Sequence, residues 1–141
     1  MEDDDRTKLD LYWSSYTEQA NEITSKRQTL NSIYLTLEAG LVGFSVAYLK
    51  LIGLFLSIAG LLLCVVWIMS IISFKKLNSA KFEIIFRLEE RINVSINPYK
   101  LEWDILQKKK YIKFTTLELI TTVLISCIFV VILILSIISL F

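Results

Sequence analysis

Long runs without a charged residue constrain the fold of this chain more than any other feature. Leu51 to Phe74 and Leu119 to Phe141 contain no charge, and Gln28 to Leu49 contains only Glu38. A helix needs about 20 apolar residues to cross the hydrocarbon core of a bilayer, whereas a barrel strand alternates polar and apolar residues. Each run is long enough to cross. The sequence therefore predicts an all-α membrane protein with three transmembrane helices.

A soluble protein with three buried core helices is the alternative. The chain has 141 residues, 55% of them hydrophobic and 21% charged, and a soluble core of that size cannot bury three such runs. Its four glycines and one proline are too few turn residues for a many-stranded sandwich or barrel. Acidic residues follow Met1 where a signal peptide would be basic, so we expect no cleaved leader.

The charged residues divide the chain and orient it. Residues 1–27 hold four Lys and Arg residues, residues 75–113 hold ten, and Lys50 alone lies between the first two spans. The positive-inside rule places the ten-charge segment and the N-terminus in the cytoplasm. We expect a cytoplasmic amphipathic helix over 1–27, a transmembrane hairpin over 28–74 with a tight turn at Lys50–Gly53, a cytoplasmic helical segment over 75–113 and a third span over 114–141.

Helical periodicity continues beyond the second span. Apolar residues recur there at three- and four-residue steps, namely Leu77, Ala80, Ile84, Leu88 and Ile92. Asn97-Pro98 is expected to end this helix, and a second short helix is expected to hold Leu101, Trp103, Ile105 and Leu106. Lys108, Lys109 and Lys110 follow close to the membrane. They either bind anionic lipid headgroups or serve only as the orientation signal.

Glu38 lies about ten residues, or roughly 15 Å, into the first span, near the middle of the bilayer. Asn31, Glu38 and Ser45 are seven residues apart and share a helix face with Arg27. A polar stripe on a membrane helix should face protein or water rather than lipid. Two interpretations stay open: the stripe lines a pore, or a protonated Glu38 is satisfied inside the helical bundle.

Small residues recur at short steps on two predicted helices. The first span carries Ala39, Gly43 and Ala47, and the second carries Gly53, Ser57, Gly60 and Cys64. This pattern lets membrane helices approach closely. We therefore expect these residues to form the contact between the first and second spans of the hairpin. The alternative is that they form a contact between subunits. Thr115 to Glu118 fits a capping box, in which Glu118 would satisfy backbone amides at the start of the third span.

No arrangement of residues indicates catalysis. Histidine is absent, there is no glycine-rich phosphate loop, and the lysines lie at the membrane edge, away from any buried nucleophile. Cys64 and Cys127 lie in spans and are interpreted as small apolar fillers. A net charge of +1 argues against nucleic-acid binding. We therefore expect no enzyme activity, no cofactor, no metal site and no nucleic-acid partner.

Four patches of the sequence resemble the RipA-type octameric membrane proteins. They are Lys26-Arg27-Gln28 with Asn31, Phe74-Lys75-Lys76-Leu77-Asn78-Ser79-Ala80-Lys81-Phe82, Glu102-Trp103, and Thr116-Leu117-Glu118. They lie in order, so the resemblance covers about residues 11–120. It implies a multi-pass protein of the bacterial inner membrane that forms a homo-oligomeric ring of eight subunits and has no enzyme activity.

Two functional hypotheses follow. The first is a homo-oligomeric channel or pore-like assembly, of which one version is an antiphage effector that depolarises the membrane when triggered. The second is a structural or adaptor protein that recruits cytoplasmic partners through residues 75–113. Ion flux in liposomes separates the two, because only the first moves charge across a bilayer.

Overall fold

The computed structural model describes residues 3–92, 98–108 and 113–141. These residues form four α-helices: α1 Asp3–Ala47, α2 Leu51–Ile92, α3 Pro98–Lys108 and α4 Phe114–Ile138. Within the described ranges no strand occurs, and α1, α2 and α4 are long and apolar enough to cross a membrane. The predicted all-α fold with three spans, and the continuation of the second span to residue 92, are confirmed.

α1 continues without a break from the predicted N-terminal helix into the first predicted span. Neither proline nor glycine occurs before Gly40, so no helix breaker separates the two parts. The turn into α2 is Tyr48-Leu49-Lys50, earlier than the predicted Lys50–Gly53. The chain reverses there because Lys50 adopts a left-handed conformation with φ 82°. Gly53 instead lies inside α2.

The described residues fall into two compact units. One contains residues 27–73 and 114–141, and the other contains the described residues among 3–26 and 74–113. The first is called the three-helix unit below, because it holds the apolar parts of α1, α2 and α4. Its outer faces carry large apolar side chains, for example Phe44, Phe55, Leu62 and Leu124, which are all exposed.

The small residues of α2 form a seam inside the three-helix unit. A Cβ added to Gly53 would lie 2.9 Å from both the Ser45 carbonyl of α1 and the Ser136 hydroxyl of α4, and one added to Gly60 would overlap the Phe129 ring. The same prediction is wrong for α1, whose Ala39, Gly43 and Ala47 are exposed. The inward face of α1 is the one that carries Glu38 and Ser45.

In the other unit, α3 packs through its first aromatic residue. The ring of Tyr99 lies 6.1 Å from that of Trp13 on α1 and 5.8 Å, edge-on, from that of Phe82 on α2. Lys81 donates to Gln19 at 2.6 Å and lies 5.4 Å from the centre of the Tyr16 ring. Aromatic and cation–π contacts therefore supply much of the packing in this unit.

The spaced apolar residues of α2 are only partly buried in this unit. Leu77, Ala80 and Ile84 are exposed, Leu88 is half-buried, and Ile92 is buried together with Ile85 and Glu89. A carboxylate oxygen of Glu89 accepts the backbone N–H of Tyr99 at 3.3 Å, in the first turn of α3. The buried side of α2 therefore includes an acid, which apolar spacing does not indicate.

The predicted short helix is confirmed as α3. Its apolar residues Leu101, Trp103 and Ile105 are exposed within the subunit. The predicted helix end at Asn97-Pro98 falls partly outside the described residues, since only Pro98 is described. Pro98 is the first residue of α3, a position that suits its fixed φ and missing N–H.

Candidate functional site

The polar stripe predicted on α1 faces the interior of the three-helix unit. Glu38 and Ser45 are completely buried, and Asn31 and Arg27 are partly buried. α2 and α4 contribute further buried polar side chains, of which Ser57, Thr122 and Ser136 are 0% exposed. The interior of this unit is therefore polar along much of its length, which is unusual for helices that cross a bilayer.

One end of this interior holds an ion pair between α1 and α4. The guanidinium of Arg27 donates to both carboxylate oxygens of Glu118, through Nε to Oε1 at 3.1 Å and through Nη2 to Oε2. It also donates to the Thr115 hydroxyl at 2.8 Å and lies 5.7 Å from the centre of the Phe114 ring. Asn31, one turn along α1, donates its amide to the same carboxylate. The carboxylate is thus held by charge-assisted, bidentate bonds.

The capping-box interpretation of Thr115 and Glu118 is wrong. Both side chains bond to Arg27, so neither is committed to the backbone amides of α4. The capping rule considers only donors within one helix, and a cation from a second helix competes more strongly for a buried carboxylate. Sequence reasoning placed Arg27 on the polar stripe but did not pair it with an acid.

An aromatic layer follows along the unit. Trp67 of α2 donates its indole N–H to the Asn31 carbonyl oxygen at 2.9 Å. Its ring stacks on Tyr34 with centroids 5.6 Å apart, and the Tyr34 hydroxyl lies 3.2 Å from that of Ser70. Each polar atom of this layer therefore has a partner on another helix, and the layer fixes α1 against α2.

Glu38 lies in the next layer, with one oxygen bonded and one free. The Cys64 thiol donates to Glu38 Oε1 at 3.2 Å, and Ser126 of α4 is a hydrogen-bond neighbour of that thiol. Glu38 Oε2 is buried and has no partner among the described residues. A charged carboxylate at such a depth costs at least about 2.5–3.5 kcal/mol, so this geometry suits the neutral acid.

A second polar layer lies near the α1–α2 turn. Ser45, Ser57 and Ser136 come from the three helices around Gly53, and all are completely buried. Ser57 bonds to the Gly53 carbonyl of its own helix at 2.7 Å. The hydroxyls of Ser45 and Ser136 have no partner in the described part of the chain. This layer can therefore accept or donate further hydrogen bonds.

Phe129 separates these two polar layers. On α1 the layers are marked by Glu38 and Ser45, and on α2 by Cys64 and Ser57, in each case seven residues and roughly 10 Å apart. Phe129 of α4 is 0% exposed and its ring lies directly on Gly60, between Cys64 and Ser57. The Phe129 ring is thus an apolar group between the two polar layers, and the sequence alone did not indicate it.

A groove of about 360 Å³ opens beside the Arg27–Glu118 pair. Its walls include Gln28, Asn31, Trp67, Phe114, Glu118 and Thr121. The polar end of the interior therefore adjoins the surface of the unit, whereas the Glu38 layer is enclosed.

The remaining predicted site lies partly outside the described residues. Lys108 is exposed at the end of α3, and Lys109 and Lys110 are not among the described residues, so lipid binding there stays a prediction. No group of three His, Cys, Asp or Glu side chains in the described ranges is placed to hold a metal ion.

Fold and interior together define a helical protein with three membrane spans and a polar core. The chain belongs to the octameric membrane protein family, whose sequence model matches residues 11–138. This confirms the resemblance found in the four sequence patches. The family is described by its assembly and its location, so self-association in a membrane follows, whereas an activity does not. No curated protein and no solved structure matches the chain.

Proposed function

We propose that this protein is an ion-conducting membrane oligomer whose path runs through the polar interior of each subunit. The observation that carries the proposal is the buried Glu38 carboxyl with one unpartnered oxygen. A helix that only anchors or packs is destabilised by an acid at this depth, and intramembrane acids commonly mark ion or proton pathways. The second polar layer of Ser45, Ser57 and Ser136 extends the same interior.

The burial pattern favours a path inside each subunit over a pore on the ring axis. Asn31 and Glu38 bond to side chains of α2 and α4 in the same subunit, and Ser45 is enclosed between those helices. A residue that lines a shared central pore would instead be exposed in the isolated subunit. The predicted stripe therefore supports conduction, but by a route different from the one that ring symmetry suggests.

We also propose the orientation that the basic residues predict. Residues 1–27 and 75–113 lie in the bacterial cytoplasm, and residues 28–74 and 114–141 lie in the inner membrane, because 14 of the 15 Lys and Arg residues fall in the first two ranges. In this orientation the Arg27–Glu118 pair is at the cytoplasmic end of the path. The serine layer is at the outer end.

The test is charge movement across a bilayer by the purified oligomer. We expect current in planar bilayers from the parent protein and from Glu83→Gln, which removes an exposed acid 63% accessible to solvent. Glu38→Gln, which keeps the size of the side chain, should alter that current while native mass spectrometry shows the same oligomer. A parent protein that carries no current, or a Glu38→Gln variant that matches it, overturns the proposal.

The antiphage-effector hypothesis is a special case of this function. A path that opens only on infection would depolarise the membrane and stop phage growth. In cells protected by the parent protein, we expect Glu38→Gln to abolish both depolarisation, followed with a voltage-sensitive dye, and protection. Protection that persists without depolarisation would contradict the effector hypothesis.

The adaptor hypothesis is favoured by one surface. Leu101, Trp103 and Ile105 are exposed on α3, which is consistent with a protein partner that binds residues 75–113. If the protein is an adaptor, Trp103→Ser should abolish its effect in cells. The parent protein would then carry no current in bilayers, which distinguishes this function from conduction.

A further inference from the structure

The interior of the three-helix unit is polar and tightly packed at once. Glu38, Ser45, Ser57 and Phe129 are all 0% exposed, and Cys64 is 1% exposed. An alkali or halide ion needs either a water-filled bore or a ring of ligands that replaces its hydration shell. The complete burial of Glu38, Ser57 and Phe129 leaves little room for a hydrated ion beside them. A proton has no such requirement, because it moves by exchange between groups that both donate and accept hydrogen bonds.

We propose, resting on the conduction proposed above, that the transferred species is the proton and that Glu38 carries it. Glu38 Oε1 accepts the Cys64 thiol at 3.2 Å, so Oε2, which has no partner among the described residues, is the oxygen that holds the proton. On arrival, an O–H bond of a hydronium ion that enters from the aqueous side breaks as one O–H bond forms at Oε2. On departure, the bond at Oε2 breaks and a water molecule accepts the proton. The carboxyl alternates between neutral and charged, and no redox partner is required.

The groups around Glu38 are suited to this exchange. α2 presents Cys64 and α4 presents Ser126, and neither of them carries a charge. The nearest charged pair on the path is Arg27 with Glu118, eleven residues before Glu38 on α1 and bonded within its own cluster. No fixed charge therefore holds Glu38 in its ionised form, and the site is free to take up and release a proton.

Phe129 is the barrier in this path. Its ring rests on Gly60, between the Glu38 layer and the layer of Ser45, Ser57 and Ser136. A benzene ring neither donates nor accepts a proton, so transfer between the layers requires the ring to move or water to pass it. Phe129 therefore slows transfer between these two layers, and Gly60 provides the space that the ring occupies.

The experiment measures proton and alkali-ion flux in the same proteoliposomes, with a pH dye inside and imposed potassium and pH gradients. We expect proton flux that follows the pH gradient and the voltage, and no potassium, sodium or chloride flux. Glu38→Gln should lower proton flux by about tenfold or more, since a proton carrier is lost. Glu38→Asp should restore part of it, and Glu83→Gln should leave it unchanged.

The barrier is tested by changing the size of residue 129. Phe129→Ala should raise proton flux by about tenfold, because water can then bridge the two layers, whereas Phe129→Leu, which keeps an apolar plug, should not.

Infrared spectroscopy gives a readout independent of flux: the band of a protonated carboxyl should be present in the parent protein at neutral pH and absent in Glu38→Gln. Native mass spectrometry checks the assembly of each variant.

The results of these experiments separate a failure of the proposed conduction from a failure of the proton assignment. Current carried by potassium, sodium or chloride leaves the proposed conduction intact and overturns the assignment to protons. The absence of any charge movement overturns both. Unchanged proton flux in Glu38→Gln, or the absence of the carboxyl band in the parent protein, refutes Glu38 as the carrier. Equal flux in Phe129→Ala and Phe129→Leu refutes the barrier.

Discussion

Arg27 and Glu118 keep only 11% and 6% of their side-chain surface exposed, so both charges have largely lost their water. A buried ion pair is tolerated only when its geometry is good and its remaining polar atoms are bonded. Thr115 and Asn31 supply those additional bonds. Because Arg27 directly precedes the first predicted span and Glu118 directly precedes the charge-free run of the third, this one cluster joins the start of two spans.

We expect Glu118→Gln to lower the free energy of unfolding by about 3 kcal/mol, since it leaves the buried Arg27 without a counter-charge. The control is Glu83→Gln, which breaks an exposed pair with Arg87 and should cost less than about 0.5 kcal/mol. Thermal unfolding in mild detergent provides the comparison. The double variant Arg27→Glu with Glu118→Arg should recover part of the loss. Equal effects of the two Gln variants would contradict this assignment.

The sequence indicated these residues but not their pairing. The four family-like patches include Arg27, Asn31 and Glu118, yet each patch was interpreted within its own helix. One signal could have paired them. Each charge directly precedes a long apolar run, which contains only Glu38 after Arg27 and no charge after Glu118, and both runs begin on the side that the basic residues mark. Two spans that start on one side place such residues at the same depth, where opposite charges attract.

At the scale of the helices, charge patterning predicted more than apolar spacing did. Three runs with at most one charge predicted three spans, and three long apolar helices are present. Spacing was less informative where a helix buries polar groups. The inward face of α1 carries Glu38 and Ser45, whereas Ala39 and Gly43 are exposed. In a membrane protein, apolar residues face both lipid and protein, so their spacing identifies the core poorly.

Gly53 is predicted to be a position where α2 tolerates no side chain. A Cβ there would lie 2.8–2.9 Å from the Tyr48 and Ser45 carbonyls and the Ser136 hydroxyl, and two of these three atoms are backbone. We expect Gly53→Ala to destabilise the protein by about 1–3 kcal/mol through this overlap. Gly40→Ala is the matched control, because nothing lies within 4 Å of its Cβ. Unfolding temperatures that fall equally in both variants would refute the close approach.

For the whole molecule, orientation is open to a direct test with single cysteines. We expect a membrane-impermeant thiol reagent to label Lys50→Cys in intact cells and Lys108→Cys only after the membrane is opened, as the basic residues predict. The background should carry Cys127→Ser, whereas Cys64 is 1% exposed and can remain. Labelling of Lys108→Cys in intact cells would reverse the orientation, and with it the ends of the proposed path.

The outer face of α1 is predicted to be a contact between subunits. Ala39, Gly43 and Ala47 form a stripe of small residues on the outside of the subunit, and no atom lies within 4 Å of a Cβ added to Gly43. Small outward residues in a span permit close contact with another helix, so in an octameric family we expect a neighbouring subunit to pack there. Gly43→Leu should raise the subunit dissociation constant about tenfold, a loss of about 1.4 kcal/mol, without lowering helix content. Native mass spectrometry measures the octamer, with the exposed exchange Phe44→Leu as control. An octamer equally stable in both variants would mean that the stripe faces lipid and that the subunits meet elsewhere.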